Sequence, residues 1–493
     1  MGNALPTENR ESKAGKQTWE IRVFLTCWFI YTVFWTPWIV REHFPAIALA
    51  ESGQLDVSRY RDWTEDIFPG PHGGAYINNN PGASLTGAVP LLVLRPILIR
   101  VDEWNQRLPR HPPSDADDPI MLRMAAEGRT FYFLMIAFLT VALVMAPATA
   151  LAIAILCRCG MRAGMLPPHA AAVALLCGLG TPLLFRTGHL NHNLLVADAG
   201  FIALLLLWDP LARPLSPARA ASAGLLAGYA LLCDYSGIVV VLVTALYVLL
   251  RSRGNSGARW KCATAFLAGL APGIAGLLIY QQLAFGSLYH PAQQYMKATA
   301  PTSLGYRGFS WPSPALFWAN LFDLRFGLFP YCPALLLAFL APFAARGRCR
   351  LPPREMRLIL VYCFLFFLFC AANRYSWLQP STGFRYLVPI VPVLALVAIQ
   401  GAQLLPRIVQ WGIAIASLIW SLVLAGAHEN DIRLEALTVW NRRCALPWMI
   451  RLREAGVPFT WQWVLATYLI SGLVIICIWA GPLIRLRHPG RVV

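Results

Sequence analysis

The residues best suited to chemistry fall into three groups. The first is a run of carboxylates, Glu51, Asp56, Asp62, Glu65 and Asp66, soon after the first long apolar stretch. It leads into Gly73-Gly74-Ala75-Tyr76-Ile77-Asn78-Asn79-Asn80-Pro81-Gly82. Any one of these carboxylates reads plainly as part of a solvated acidic loop. The cluster points to function, because charge placed beside hydrocarbon is costly and tends to be used. The second group interrupts apolar stretches: His189, Asn191 and His192, then Asp234-Tyr235. An aspartate at that depth needs a partner or water. The plainer readings are a packing histidine for His192 and a helix-turn residue for Asp234. The third group is cationic: Lys297, Arg307, Arg325, Arg374 and Arg385, among Tyr289, Tyr295, Tyr306, Tyr375, Trp377 and Tyr386. Guanidinium forks match phosphate oxygens. Snorkelling to lipid headgroups is the plainer reading of each cation. Taken together, a carboxylate would remove a proton from an acceptor hydroxyl while cations stabilise a departing phosphate. That is the chemistry of sugar transfer from a polyprenyl phosphate.

The elements that must position these groups are membrane helices. Apolar residues make up 57% of the 493 residues and charged residues 13%, with a mean hydropathy of +0.53. A soluble chain of this length must cover a large surface with polar groups, so this composition excludes one. The formal charge of +17 would suggest nucleic acid in a soluble protein. Here the arginines sit in short loops between apolar runs, where they set orientation. Lysine is confined to Lys13, Lys16, Lys261 and Lys297, a bias that hints at a GC-rich bacterial genome. Most of the twelve cysteines lie inside apolar runs and read as small packing residues. Cys157 and Cys159 have no His/Cys partner set nearby for a metal.

The first span is expected over Ile21–Val40, with others centred near 143, 176, 202, 226, 243, 271, 335, 364, 393, 417 and 473. The architecture expected is an all-α polytopic bundle of about twelve to thirteen transmembrane helices. Interfacial helices are expected in two large outer loops, 41–129 and 281–325. Basic loops at Arg158/Arg162, Arg213/Arg219, Arg251–Lys261 and Arg346–Arg357 belong in the cytoplasm by the positive-inside rule. So do the two tails, 1–20 and 485–493, with the transmembrane unit running over 21–484 between them. No cleavable signal peptide is expected, because the first 17 residues are polar and no small-residue cleavage site follows the first apolar run. Even parity requires that 83–101 not cross fully. It holds Pro90, Arg95, Pro96 and Arg100, and reads as interfacial or re-entrant, with a thirteenth span as the alternative.

Five ordered segments carry a resemblance. They are LAESGQLDVSRYRDWTED with GGAYINNNPGASLTGAVPLLVL, GTPLLFRTGHLNHNLLVADAGFIALLLL, GYALLCDYSGIVVVLVTALYVLL, FGSLYHPA with LFDLRFGLFPYCPALLLAF, and RYSWLQPSTGFRYLVPIVPVLAL. In this order they resemble the GT-C superfamily of polyprenyl-phosphate-sugar-dependent glycosyltransferases. Within it the chain resembles the bacterial branch related to protein O-mannosyltransferases and the lipid A aminoarabinose transferase. The resemblance implies inverting transfer on the outer face of a bacterial inner membrane, with an acidic residue of the first outer loop as base. Asp62 matches best, with Glu65 and Asp66 as neighbours that could exchange roles with it. Candidate substrate-binding residues are His192, Asp234, Tyr235, His290, Lys297, Arg325, Arg374, Arg385 and Tyr386. No cofactor is expected, and a divalent metal stays open. The partners implied are the lipid-linked sugar, a glycan, lipid or protein acceptor, and membrane lipid. The chain departs from the family where an acidic pair follows the first span: here the residues are Arg41-Glu42. Two other classes compete. One is a lipid-linked-sugar transporter, which would need charges deep in the spans. The other is a non-catalytic polyprenyl-lipid-binding protein.

Overall fold

The computed structural model describes residues 8–109, 119–209, 211, 213–252, 256–296, 303–344, 351–377, 385–427 and 432–480. The chain is mostly helical and multi-pass. It opens with α1 (Glu8–Val33), α2 (His43–Ser52) and a short hairpin of β1 (Ile67–Pro69) and β2 (Ala75–Ile77), paired antiparallel with Phe68 opposite Tyr76. Next come α3 (Gly82–Val93), α4 (Arg95–Gln106), α5 (Pro119–Ala126), α6 (Thr130–Thr140), α7 (Ala146–Arg162), α8 (Pro167–Leu179), α9 (Leu183–Arg186) and α10 (His192–Leu207). The middle holds α11 (Pro217–Cys233), α12 (Gly237–Arg251), α13 (Ser256–Phe285), α14 (Pro314–Phe322) and α15 (Leu328–Tyr331). The last third holds α16 (Pro353–Ala372), α17 (Val391–Ala402), α18 (Arg407–Ala427), α19 (Ile432–Asn441), α20 (Pro447–Glu454) and α21 (Trp461–Ala480).

Five described helical stretches are long and apolar enough to cross a bilayer: Thr130–Arg162, Gly257–Phe285, Pro353–Ala372, Arg407–Ala427 and Trp461–Ala480. The first joins α6 to α7 through a π turn at Val141–Met145. Five further apolar stretches form helices of 10–17 residues. By length and composition the described residues thus hold five spans, or six if the bent pair α3–α4 counts as one, against the twelve to thirteen expected, and the other apolar stretches are short or broken. Proline is the local reason: Pro333 and Pro342 bound a 3₁₀ stretch, and Pro389 and Pro392 open the segment before α17. The segment 83–101 is α3 and α4, bent 81° at Leu94 between Pro90 and Pro96. The first helix stops at Val33 rather than Val40. Pro37 forbids its continuation, and the Thr36 amide turns to the Gly188 carbonyl instead.

Helices α11 and α13 cross most closely. Gly224 and Gly228 on one meet Gly269 and Gly273 on the other, and a Cβ at Gly269 would run into the Ala221 carbonyl. Paired small residues four apart are what let membrane helices approach. At one end of the bundle a charged cluster pins α2, α4 and α6 together. Arg129, almost fully buried, donates to Glu51 (2.8 Å) and Asp102 (3.0 Å), and the Tyr132 hydroxyl donates to Glu51 (2.7 Å). Glu51 thus serves the scaffold. Deeper in the bundle, the Thr149 hydroxyl donates to buried Asp198 (2.7 Å), which joins α7 to α10.

Candidate active site

The loop between α1 and α2 brings Arg41 and Glu42 against the N-terminus of α10. Glu42 is 3% exposed. Its Oε1 accepts a hydrogen bond from His192 Nδ1 (2.6 Å) and another from the Asn79 amide, and Arg41 Nε stands 3.5 Å away. Burial alone would raise this carboxyl. The hydrogen bond and charge of His192, with the charge of Arg41, outweigh it and hold Glu42 well below the ordinary carboxylate range. His192 can occupy this place because Asn191 caps α10, accepting from the Leu194 amide at 3.3 Å and so fixing the first turn.

Two further carboxylates flank the pair. Arg41 Nη1 reaches Asp66 Oδ2 at 2.8 Å, and the Asn78 amide donates to Asp66 Oδ1 at 2.9 Å. On the other side His192 Nε2 lies 3.8 Å from Asp234 Oδ2. Asp234 caps the turn between α11 and α12 by accepting from the Ser236 amide. Acidic and basic side chains therefore alternate along a row: Asp66, Arg41, Glu42, His192, Asp234. The side chain of Asp66 is 39% exposed and that of Asp234 is 18% exposed. The row is closed at its centre and open to water at the Asp66 end. A second set of cations adjoins it. Burial and the charge of nearby Arg385 lower the buried Arg186 to about 9, with Glu42 opposing. Arg385 donates to the Tyr386 hydroxyl (3.0 Å) and stacks 4.8 Å above that ring. Neighbouring guanidiniums of this kind suit the oxygens of a phosphate.

The structure brings together Asp66, His192, Asp234, Arg385 and Tyr386 of the residues singled out by sequence. Tyr235 is beside Asp234, and its hydroxyl accepts from Gln281 (2.6 Å). Others lie elsewhere. Asp62 and Glu65 are exposed and make no hydrogen bond or ion pair among the described residues. Arg325 is 63% exposed and forks onto Asp323 (2.9 and 3.1 Å). Arg374 donates to Ser310 (2.8 Å), and His290 is exposed. Lys297 lies outside the described residues. Sequence reasoning passed over Glu42, Arg41, Asn79 and Arg186 as site residues. Their signal was charge at the ends of apolar runs: Arg41-Glu42 directly after the first span, and Arg186 inside LLFRTGH.

The chain's course can be compared with known proteins. It is similar to two solved GT-C glycosyltransferases. One is ArnT from Cupriavidus metallidurans, with a TM-score of 0.46 and 14% identity over 95% of this chain and 76% of that one. The other is the archaeal oligosaccharyltransferase AglB from Archaeoglobus fulgidus, solved with an inhibitory peptide and a dolichol-phosphate, with a TM-score of 0.43 and 11% identity over 85% of this chain. This chain spans 56% of the length of AglB. The likeness is one of fold alone. No protein-family model and no curated protein matches the sequence.

Proposed function

We propose that this chain is a membrane glycosyltransferase. It moves a sugar from a polyprenyl-phosphate donor to an acceptor hydroxyl, with inversion, at the end of the bundle that holds Glu42. One observation carries the reading: a row of alternating acidic and basic side chains, buried at its centre, ends in a water-facing carboxylate and stands beside clustered guanidiniums. Arg41, Arg186 and Arg385 supply positive charge for the phosphate that leaves, with the Tyr386 hydroxyl at hand. Fixed dipoles and charges of this kind need no reorganisation as the sugar–phosphate bond breaks.

The base in this reading is Asp66. A general base must reach the acceptor and must gain a proton as the bond forms. Glu42 is ill suited, because Oε1 is already held by His192, Asn79 and Arg41 and its ionised form is strongly favoured. Asp66 keeps more than a third of its side chain in water while Arg41 and Asn78 fix its direction. Glu42 in turn fixes Arg41 and His192. Asp62 and Glu65 remain the neighbouring candidates. The setting proposed is a bacterial inner membrane, with this end facing the exterior. The test compares lipid and glycan extracts of cells with and without the gene. The reading expects one sugar decoration to vanish and a polyprenyl-phosphate sugar to accumulate. Loss of a decoration without donor accumulation argues against lipid-phosphate donation.

A further inference from the structure

Helix α20 stands between two adjoining polar cavities and an apolar groove that the chemistry above leaves unused. On one side, a polar cavity of about 450 Å³ runs from Thr36 and Trp38 to Arg442, Arg451 and Arg453, and shares Arg442 and Arg453 with a second of about 520 Å³ that adds Arg443. Among the described residues, four arginines line this space with one carboxylate, Glu454, which is itself paired with Arg451 (2.7 Å). Arg443 and Arg453 are exposed and make no ion pair among the described residues. On the other side lies an apolar groove of about 490 Å³ among Val33, Trp35, Trp104, Phe138, Trp448 and Leu452. Trp448 and Leu452, four residues apart, present one face of α20 to it. The helix is fixed there, because the Trp448 indole donates to the Val33 carbonyl (3.0 Å) and stacks on Trp35.

The position of these cavities relative to the bilayer decides what they take. Trp440, near the end of α19, and Trp461 and Trp463, at the start of the membrane helix α21, are all more than half exposed. Exposed tryptophans of this kind mark the membrane–water boundary. The exposed guanidiniums of Arg443 and Arg453, which make no ion pair among the described residues, with an apolar groove one helix width away, match an amphiphile: an anionic headgroup on one side and a hydrocarbon chain on the other. A soluble phosphate would use only half of it. We infer that the polar cavities and the groove together bind an anionic phospholipid, its headgroup among Arg442, Arg443 and Arg453 and one acyl chain in the groove of Trp35, Trp448 and Leu452.

The bound lipid would clamp α20 onto the end of α1. That end continues through Trp38, whose ring meets His189 at 5.3 Å, toward Arg41 and Glu42. The inference does not depend on the catalytic reading, since a lipid site can exist without transfer. The test uses the purified full chain, stripped of lipid in detergent. It is exposed in turn to phosphatidylglycerol, phosphatidylcholine and inorganic phosphate, and retained lipid is counted by native mass spectrometry alongside the thermal midpoint. Wild type should retain phosphatidylglycerol on the order of tenfold better than phosphatidylcholine and gain thermal stability from it. The double variant Arg443→Gln/Arg453→Gln touches only exposed side chains and should lose that preference. Leu452→Trp fills the groove and should lower retention of the same lipid. Equal retention of the two lipids, or an unchanged double variant, overturns the headgroup assignment. Unchanged retention by Leu452→Trp overturns the chain assignment. Full protection by inorganic phosphate alone overturns the lipid in favour of a soluble anion.

Discussion

Glu42→Gln is the perturbation that reads the buried network most fully. It keeps the volume and one acceptor oxygen but removes the charge. Two side chains are held by that carboxylate, His192 at 2.6 Å and the guanidinium of Arg41 at 3.5 Å. For unit charges 3.5 Å apart, an effective dielectric of about 20 gives roughly 5 kcal/mol of attraction. Part of this is offset by the desolvation of the carboxylate. Removing one partner of a buried pair typically costs about 3–5 kcal/mol, and the retained amide places this change near the lower end. A loss of about 3 kcal/mol multiplies the open population about 10²-fold, so proteolysis of the purified protein should quicken by a similar factor. The pH dependence gives a second readout. The folded carboxyl titrates below its unfolded value of about 4.5. Its contribution is therefore complete above that value and is lost as pH falls through the lower, folded one. Wild type should lose stability on acidification below about 4.5, and the variant should lack that part of the decline. Equal proteolysis rates with identical acid profiles would refute the argument that Glu42 holds the network.

Other perturbations have distinct signatures. Arg385→Lys keeps the charge but loses the fork over Tyr386, and transfer should fall about tenfold or more, while Arg325→Lys, confined to its Asp323 pair, should leave turnover unchanged in the same assay. His43 is buried against Thr140 (3.1 Å), and burial lowers it from 6.5 to about 4. Its neutral form is favoured in the fold, so it contributes stability above 6.5 that is lost as pH falls through about 4. His43→Gln should flatten a thermal-stability profile across that interval. Gly269→Leu places a side chain against the Ala221 carbonyl and should separate α11 from α13, reducing folded yield in detergent.

Much of the fold was legible because a bilayer leaves few choices. Long apolar runs must become helices, since every backbone group in hydrocarbon needs an internal partner. The breaks were partly legible too: Pro90 and Pro96 already marked 83–101 as a poor span, and the 81° bend falls between them. The shortness of other helices was not, because hydropathy counts apolar residues without saying where 3₁₀ turns interrupt them. Within the site, residue type was legible and rank was not. Five carboxylates in one loop look alike in sequence. Tertiary contacts distinguish them: Arg129 takes Glu51 for the scaffold, backbone amides at Ser58 and Ala75 take Asp56, and Arg41 takes Asp66. Glu42 was read only as part of a departure from an acidic pair. Its partner His192 lies 150 residues away, a juxtaposition only the fold creates.

The most direct measurement is single-turnover release of polyprenyl phosphate from a panel of radiolabelled polyprenyl-phosphate pentoses and hexoses. It compares the purified wild-type protein with Asp66→Asn, Asp62→Asn and Glu65→Gln. Asp66→Asn removes a proton acceptor from a partly exposed side chain and should slow transfer by about 10²–10⁴-fold in protein that is still folded and still binds the donor. The two exposed neighbours should react at the wild-type rate. Wild-type turnover by Asp66→Asn, with Asp62→Asn or Glu65→Gln inactive, would move the base within the loop. Full activity in all three would contradict carboxylate catalysis at the open end of the charged row.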